Sequence, residues 1–154
     1  MDFFLFDTPL GQMGLAAEDG AITRLYLPND PTPRLMPHPT PLLEAGRAQL
    51  LAYLAGERRE FDLPLAPRGT PFQEKVWAAL RSIPWGQTRS YRDIALAVDC
   101  PRGFRAVGLA NRRNPIPILI PCHRVVGADG SLTGDAGGLE LKRALLALEG
   151  IALP

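Results

Sequence analysis

Histidine and cysteine are scarce in this 154-residue chain, with two of each: His38, His123, Cys100 and Cys122. No Cys-x-x-Cys or His-Glu-x-x-His spacing occurs, so the common zinc ligand sets are missing, and no metal or other cofactor is expected. Two thiols cannot build a disulfide framework, and both are expected to be free. No apolar run approaches the roughly 20 residues that span a bilayer, so no membrane partner is expected. Met1-Asp2-Phe3-Phe4 has neither the basic start nor the long apolar stretch of a signal peptide, which makes the cytoplasm the expected compartment. What is present, 46% apolar and 21% charged residues, excludes a coiled coil, a collagen or a wholly disordered chain. It leaves room for one domain or two small lobes.

The net charge of +1 hides an asymmetry. Between residues 89 and 124 stand seven arginines (89, 92, 102, 105, 112, 113 and 124) against Asp93 and Asp99, a surplus of five, so the rest of the chain carries a deficit of four. Such a cluster suits an anionic partner, although a solvated arginine-rich surface has the same composition.

The first 27 residues read as strands. Phe3–Phe6, Met13–Ala17 and Ile22–Leu27 are apolar-rich runs separated by turn signals at Pro9-Leu10-Gly11 and Glu18-Asp19-Gly20. Six of the fourteen residues from Pro28 to Pro41 are proline, which predicts a stiff exposed connection. A helix with Leu43, Leu50, Leu51 and Leu54 on one face ends at Gly56. Phe61–Leu65 is an edge-strand candidate, and Ala66-Pro67-Arg68-Gly69 reads as the junction between lobes spanning 1–66 and 67–154. Thr70, Pro71 and Gln73 form a complete helix-start signal before the apolar stripe Phe72, Val76, Leu80 and Ile83. Ser90 can cap a second helix, with Asp93 in its first turn and Ile94, Ala95 and Val98 inward. Pro101 is expected to open a third helix, carrying Arg102 and Arg105. Two short helices joined by a tight turn, the second rich in arginine, match a helix-turn-helix, and on shape alone they match an ordinary packing unit equally. Ile116–Pro121 is expected to be extended and buried, Gly127–Gly130 and Gly134–Gly138 to form loops, and Leu139–Glu149 to form a final helix with Leu145 and Leu148 on one face.

Cys122 follows the apolar segment and precedes His123. A thiol becomes a nucleophile when positive charge or a basic neighbour favours its thiolate. Side chains adjacent on a helical turn point about 100° apart, so a bridging water between Cys122 and His123 is expected, with Glu149 a candidate to orient the imidazole. A buried structural cysteine beside a satisfied histidine is the bland alternative.

The octapeptide Ile118-Leu119-Ile120-Pro121-Cys122-His123-Arg124-Val125 resembles the active-site signature of the O6-alkylguanine-DNA alkyltransferases, the methylated-DNA–protein-cysteine methyltransferases. Thr70-Pro71-Phe72-Gln73, Val76-Trp77, Ile83-Pro84, Gly86-Gln87, Ser90-Tyr91, Arg105-Ala106-Val107-Gly108, Asn114-Pro115 and Gly137-Gly138-Leu139 fall in that family's order. The resemblance is strong from about Thr70 to Gly150 and only general before residue 67. It implies an α+β protein with a small ribonuclease H-like N-terminal lobe of sheet and helix, and a helical C-terminal lobe with a winged helix-turn-helix.

It further implies binding of double-stranded DNA through the minor groove and rotation of the damaged nucleotide out of the stack. Arg105 resembles the finger that fills the gap, Tyr91 the tyrosine that pushes the phosphate and then meets the guanine, and Arg102, Arg112 and Arg113 are candidate DNA contacts. Cys122 would take the alkyl group in one irreversible displacement. His123 would accept the thiol proton through water, Glu149 would complete the relay, and Asn114 would brace the loop. The carbonyls of Cys122 and Val125 would accept from the guanine amino group, and the Ala136 amide would face O6.

Asp135 departs from the pattern, since the family usually carries an aromatic residue, typically tyrosine, against the alkyl group there. An aspartate near the sulfur would oppose its ionisation; turned to solvent, it would open the pocket. The expected function is single-turnover repair of O6-alkylguanine, with O4-alkylthymine as a further substrate, by a monomer. The alternatives are an alkyltransferase-like lesion sensor with little transfer activity, and a Cys-His hydrolase.

Overall fold

The computed structural model of the chain describes residues 1–133 and 137–152. They form an α+β fold in two compact units, Met1–Arg68 and Gly69–Pro154. Among the described residues no helix is long and apolar enough to cross a membrane.

In the first unit, strands β1 (Asp2–Thr8), β2 (Gly11–Glu18) and β3 (Ala21–Tyr26) make an antiparallel meander in the order β1-β2-β3. Phe3 pairs with Ala16 and Leu15 with Leu25, and the β2–β3 register shifts between Ala16 and Ala17. Every residue of the central strand from Met13 to Ala17 is buried, as expected of a strand covered on both faces. On one face Phe3 and Tyr26 meet edge-on with ring centroids 5.4 Å apart over Ala16.

Helix α1 (Pro41–Leu54) begins where the proline-rich connection ends; Thr40 accepts from the Leu43 amide, and Pro41 occupies the first helical position. Its buried face is Leu43, Gly46, Leu50 and Tyr53, whereas Leu51 and Leu54 are only half-buried. The expected leucine face is therefore rotated. The cause lies at Gly46, where a Cβ would stand 2.8 Å from Leu15 Cδ1 and 3.2 Å from Ile22 Cδ1, so the helix backbone approaches the sheet there. Phe61–Leu65 is not an edge strand. Only Leu65 bridges Ile22, through Ile22 N–H donating to the Pro64 carbonyl and Ala66 N–H to the Ile22 carbonyl, both at 2.8 Å. Pro64 and Pro67 lack the N–H groups a longer ladder needs.

The second unit opens with α2 (Pro71–Leu80), held by the reciprocal bonds of Thr70 and Gln73. Val76, Trp77 and Leu80 are its buried residues. Strand β4 (Arg89–Ser90) pairs in parallel with β5 (Val125–Val126), a two-residue contact that leaves no periodic signal in the sequence. Ser90 and Asp93 form a second reciprocal cap at the start of α3 (Tyr91–Ala97). Helix α4 spans Phe104–Arg112, starting three residues later than the expected Pro101. Gly103 N–H donates to the Cys100 carbonyl at 2.8 Å, so Pro101 and Arg102 belong to the turn and Gly103 precedes the helix.

Residues 116–121 are buried but not extended. Ile118 has φ of 72°, while Leu119 N–H donates to the Pro117 carbonyl and Ile120 N–H to the Ile116 carbonyl, both at 2.9 Å. A β-branched residue in the left-handed region costs about 1–3 kcal/mol, held by the surrounding bonds. A single 3-10 turn, Cys122–Arg124, leads into β5, and α5 spans Gly138–Leu148, with Lys142, Leu145 and Leu146 as its buried residues. Leu148, expected inward, is half-buried.

Candidate active site and nucleic-acid interface

The tight loop ending at Ile120 is closed by a side chain. Asn114 Nδ2 donates to the Ile120 carbonyl at 2.8 Å, and its Oδ1 accepts from Ile116 N–H at 3.0 Å. Cys122 N–H then donates to the Ile120 carbonyl at 2.8 Å, placing the cysteine at the head of the 3-10 turn, where it is only 2% exposed.

The next two residues of the turn converge on α5's end. His123 Nε2 lies 2.7 Å from Glu149 Oε2. Arg124 grips the same carboxylate with Nε at 2.8 Å from Oε1 and Nη2 at 3.0 Å from Oε2, and its Nη1 donates to the Ile83 carbonyl at 2.7 Å. Gly86 N–H adds a fourth donor to Glu149, at 3.1 Å from Oε1. With four donors on its two oxygens the carboxylate is filled as an acceptor, and against that anion the imidazole donates from Nε2. A neutral ring in that tautomer takes a further proton at Nδ1.

Arg124 is a correction to the charge reading. The sequence places it in the basic surplus, but it is buried as the counter-ion of Glu149 rather than presented outward. The pairing is opaque in the sequence because 25 residues separate the partners. Two further polar residues escaped the sequence reading. Fully buried Lys142 donates from Nζ to the carbonyls of Val125 and of Thr133, and Asn111 Nδ2 donates to the Cys122 carbonyl at 3.3 Å. Both carbonyls expected to meet the guanine amino group thus already accept a bond within the chain. Its spacing three and four residues before Leu145 and Leu146, which puts a lysine in register with an apolar helix face, is the one signal in the sequence that could have flagged Lys142.

Outside this cluster runs an open groove of about 750 Å³, whose walls include Tyr91, Phe104, Arg105, Gly108, Arg112 and Thr133. Tyr91, first residue of α3, bonds the Thr133 hydroxyl through its own. Arg105 and Arg112 are exposed on α4, while Arg102 and Arg113 stand exposed just before and just after it. In the turn after β5, bonds from the Ser131 hydroxyl and amide hold the Asp129 carboxyl below the usual carboxylate range. The structure thus gathers Cys122, His123, Glu149 and Val125 in one buried cluster braced by Asn114, and sets Tyr91, Arg105 and Arg112 along one groove. Asp135 and Ala136 lie outside the described residues.

Comparison with known proteins matches two family models: the 6-O-methylguanine DNA methyltransferase ribonuclease-like domain over residues 3–67, and the DNA binding domain of the same enzyme over 71–151. The constitutive methylated-DNA–protein-cysteine methyltransferase of Bacillus subtilis is 49% identical over 154 residues, covering 95% of this chain and 93% of its own. The Methanosarcina acetivorans protein of the same name is 46% identical over 97% of this chain and 99% of its own. The crystal structure of Mycobacterium tuberculosis OGT in complex with DNA superposes with a TM-score of 0.88 at 46% identity, covering 97% of this chain and 93% of that one. A structure of Schizosaccharomyces pombe Atl1 bound to DNA containing O6-carboxymethylguanine covers 55% of this chain and 81% of its own, at 30% identity and a TM-score of 0.50.

Proposed function

This chain belongs to the 6-O-methylguanine DNA methyltransferase family, and from that premise we propose that it repairs double-stranded DNA by moving the alkyl group of O6-alkylguanine onto Cys122, once per molecule. The observation that carries this reading is the cluster at the 3-10 turn: a buried cysteine directly before a histidine held on a carboxylate with four donors.

The reaction balances within the chain. The Cys122 sulfur attacks the alkyl carbon in line with the C–O6 bond, a C–S bond forms, and the C–O6 electrons leave with the guanine. The thiol proton passes through water to His123 Nδ1, Glu149 stabilises the imidazolium formed, and the proton is returned through solvent to N1 of the departing guanine, which leaves neutral. Holding His123 between its own turn and α5 fixes the ring before the substrate arrives. The thioether has no facile route back, so turnover stops. No cofactor enters any step.

Burial of Cys122 supports a base delivered singly, because a stacked purine cannot reach the sulfur of a residue that is 2% exposed. Arg105, Tyr91 and Arg112 along the groove suit the work of opening the stack, receiving the base and meeting phosphate. O4-alkylthymine, which likewise carries its alkyl group on an exocyclic ring oxygen, is the second substrate of this reading. Binding and reaction fall to residues 67–154 in this reading, in a monomer acting in the cytoplasm.

Mass spectrometry after incubation with a duplex containing O6-methylguanine tests the claim; the Cys122 peptide should gain one methyl group and the Cys122→Ala chain none. The partial likeness to S. pombe Atl1 favours one second reading, a sensor that grips the lesion without transfer. Lesion binding with an unmodified Cys122 would select it, and recovery of transfer in Asp135→Tyr would trace the loss to that departure from the family pattern.

A further inference from the structure

The inward side of α4 carries a polar side chain that the reaction above does not use. Asn111 is fully buried with Val107 and Ala110. Its Nδ2 makes one long bond to the Cys122 carbonyl, at 3.3 Å, and among the described residues its Oδ1 has no hydrogen-bond partner. One such bond contributes no more than an unpaired buried acceptor costs, so for stability alone an apolar side chain of the same branched shape, leucine, would serve as well or better. An amide kept at that position is explained by what its single bond holds.

That bond holds the peptide of the reactive residue. Val125 N–H is the other donor to the Cys122 carbonyl, so both of its lone pairs are engaged and the peptide plane is set from two sides. The stretch of α4 from which Asn111 projects is itself fixed, because Trp77 Nε1 donates to the Ala110 carbonyl at 2.8 Å. The outward side of the same helix carries Arg105 and Arg112. Resting on the alkyl-transfer reading, we propose that Asn111 is a positioning residue: it fixes the Cys122 peptide, and through it the Cα–Cβ direction that aims the sulfur, relative to the helix lying on DNA. An in-line displacement is sensitive to such aim, since small misplacements of a reacting atom lower the rate steeply.

The test follows single-turnover methyl transfer from an O6-methylguanine duplex for the parent chain, Asn111→Leu and Asn111→Asp, together with each thermal midpoint. The maximal rate should fall about tenfold in both variants, while the half-saturating DNA concentration moves by less than about twofold. The Tm of Asn111→Leu should be no lower than the parent's. A parental rate in Asn111→Leu, or a Tm loss that tracks the rate loss, overturns the proposal; should the leucine variant not fold, Asn111→Met is judged by the same criteria. A parent chain that takes up no methyl group removes the alkyl-transfer reading instead. The ¹³C resonance of the Cys122 carbonyl then decides the contact without activity: it should move in the leucine variant, and an unmoved resonance refutes the clamp.

Discussion

Arg124 and Glu149 show how little a residue's type says about its work. The arginine is one of seven in the basic segment, yet it is the one whose guanidinium is spent on a buried carboxylate. Removing one member of a buried ion pair leaves the other charge uncompensated, at a cost of about 3–5 kcal/mol. Arg124→Leu is therefore expected to lower the thermal midpoint by roughly 10 °C in a chain of this length, read by calorimetry, and an unshifted midpoint would refute the pairing. The two thiols differ as sharply. Cys100 is half-buried and Cys122 buried, so a thiol reagent added to the native protein should modify Cys100 at least about tenfold faster, with peptide mapping as the readout. Asn114→Ala would orphan the buried Ile116 N–H, at a cost of about 1–3 kcal/mol, would leave the Ile120 carbonyl with the Cys122 N–H alone, and would loosen the loop that delivers the cysteine.

At the scale of elements, the helices with reciprocal caps begin where their sequences predict, whereas α4, which has no capping side chain, begins elsewhere. Thr70 with Gln73 and Ser90 with Asp93 satisfy orphan amides from both directions, so α2 and α3 start at Pro71 and Tyr91. Ser90→Ala should cost about 1 kcal/mol of stability, measured by denaturant unfolding with an unchanged slope. Helix α4 has only Gly103 before it and no capping side chain, and there the expected boundary is wrong by three residues. In the first unit, Gly46 sets how closely α1 lies on the sheet. Gly46→Val would overpack against Leu15 and Ile22 at a cost of about 1–3 kcal/mol, whereas a polar exchange on the exposed face at Arg47 should fall within about 0.5 kcal/mol.

For the whole molecule the relevant quantity is where charge lies, since the total is only +1. With Arg124 withdrawn into the interior, Arg102, Arg105, Arg112 and Arg113 remain exposed on and beside one helix. Duplex affinity should then fall steeply with added salt as arginine–phosphate contacts release counterions, and Arg112→Ala should weaken binding across sequences while reducing the log–log salt slope by about one. Fluorescence anisotropy over a salt series is the measurement. An affinity indifferent to salt would refute an electrostatic grip on DNA.

By itself the sequence determined whatever rests on neighbours along the chain. The three strand runs with their turns, the two reciprocal caps, the inward set Ile94, Ala95 and Val98, and the Cys122-His123 pair are all local, and local patterns of period, capping and turn chemistry are written in consecutive residues. Only the tertiary structure decided that Arg124 turns inward, that Lys142 and Asn111 hold the carbonyls on either side of His123 and Arg124, that β4 pairs with β5, and that Ile116–Pro121 bends back on itself. Each of these is a contact between residues distant along the chain, or a strained backbone kept in place by such contacts. Their energies come from burial and hydrogen bonding that do not exist until the chain has folded, so no pattern of adjacent residues announces them.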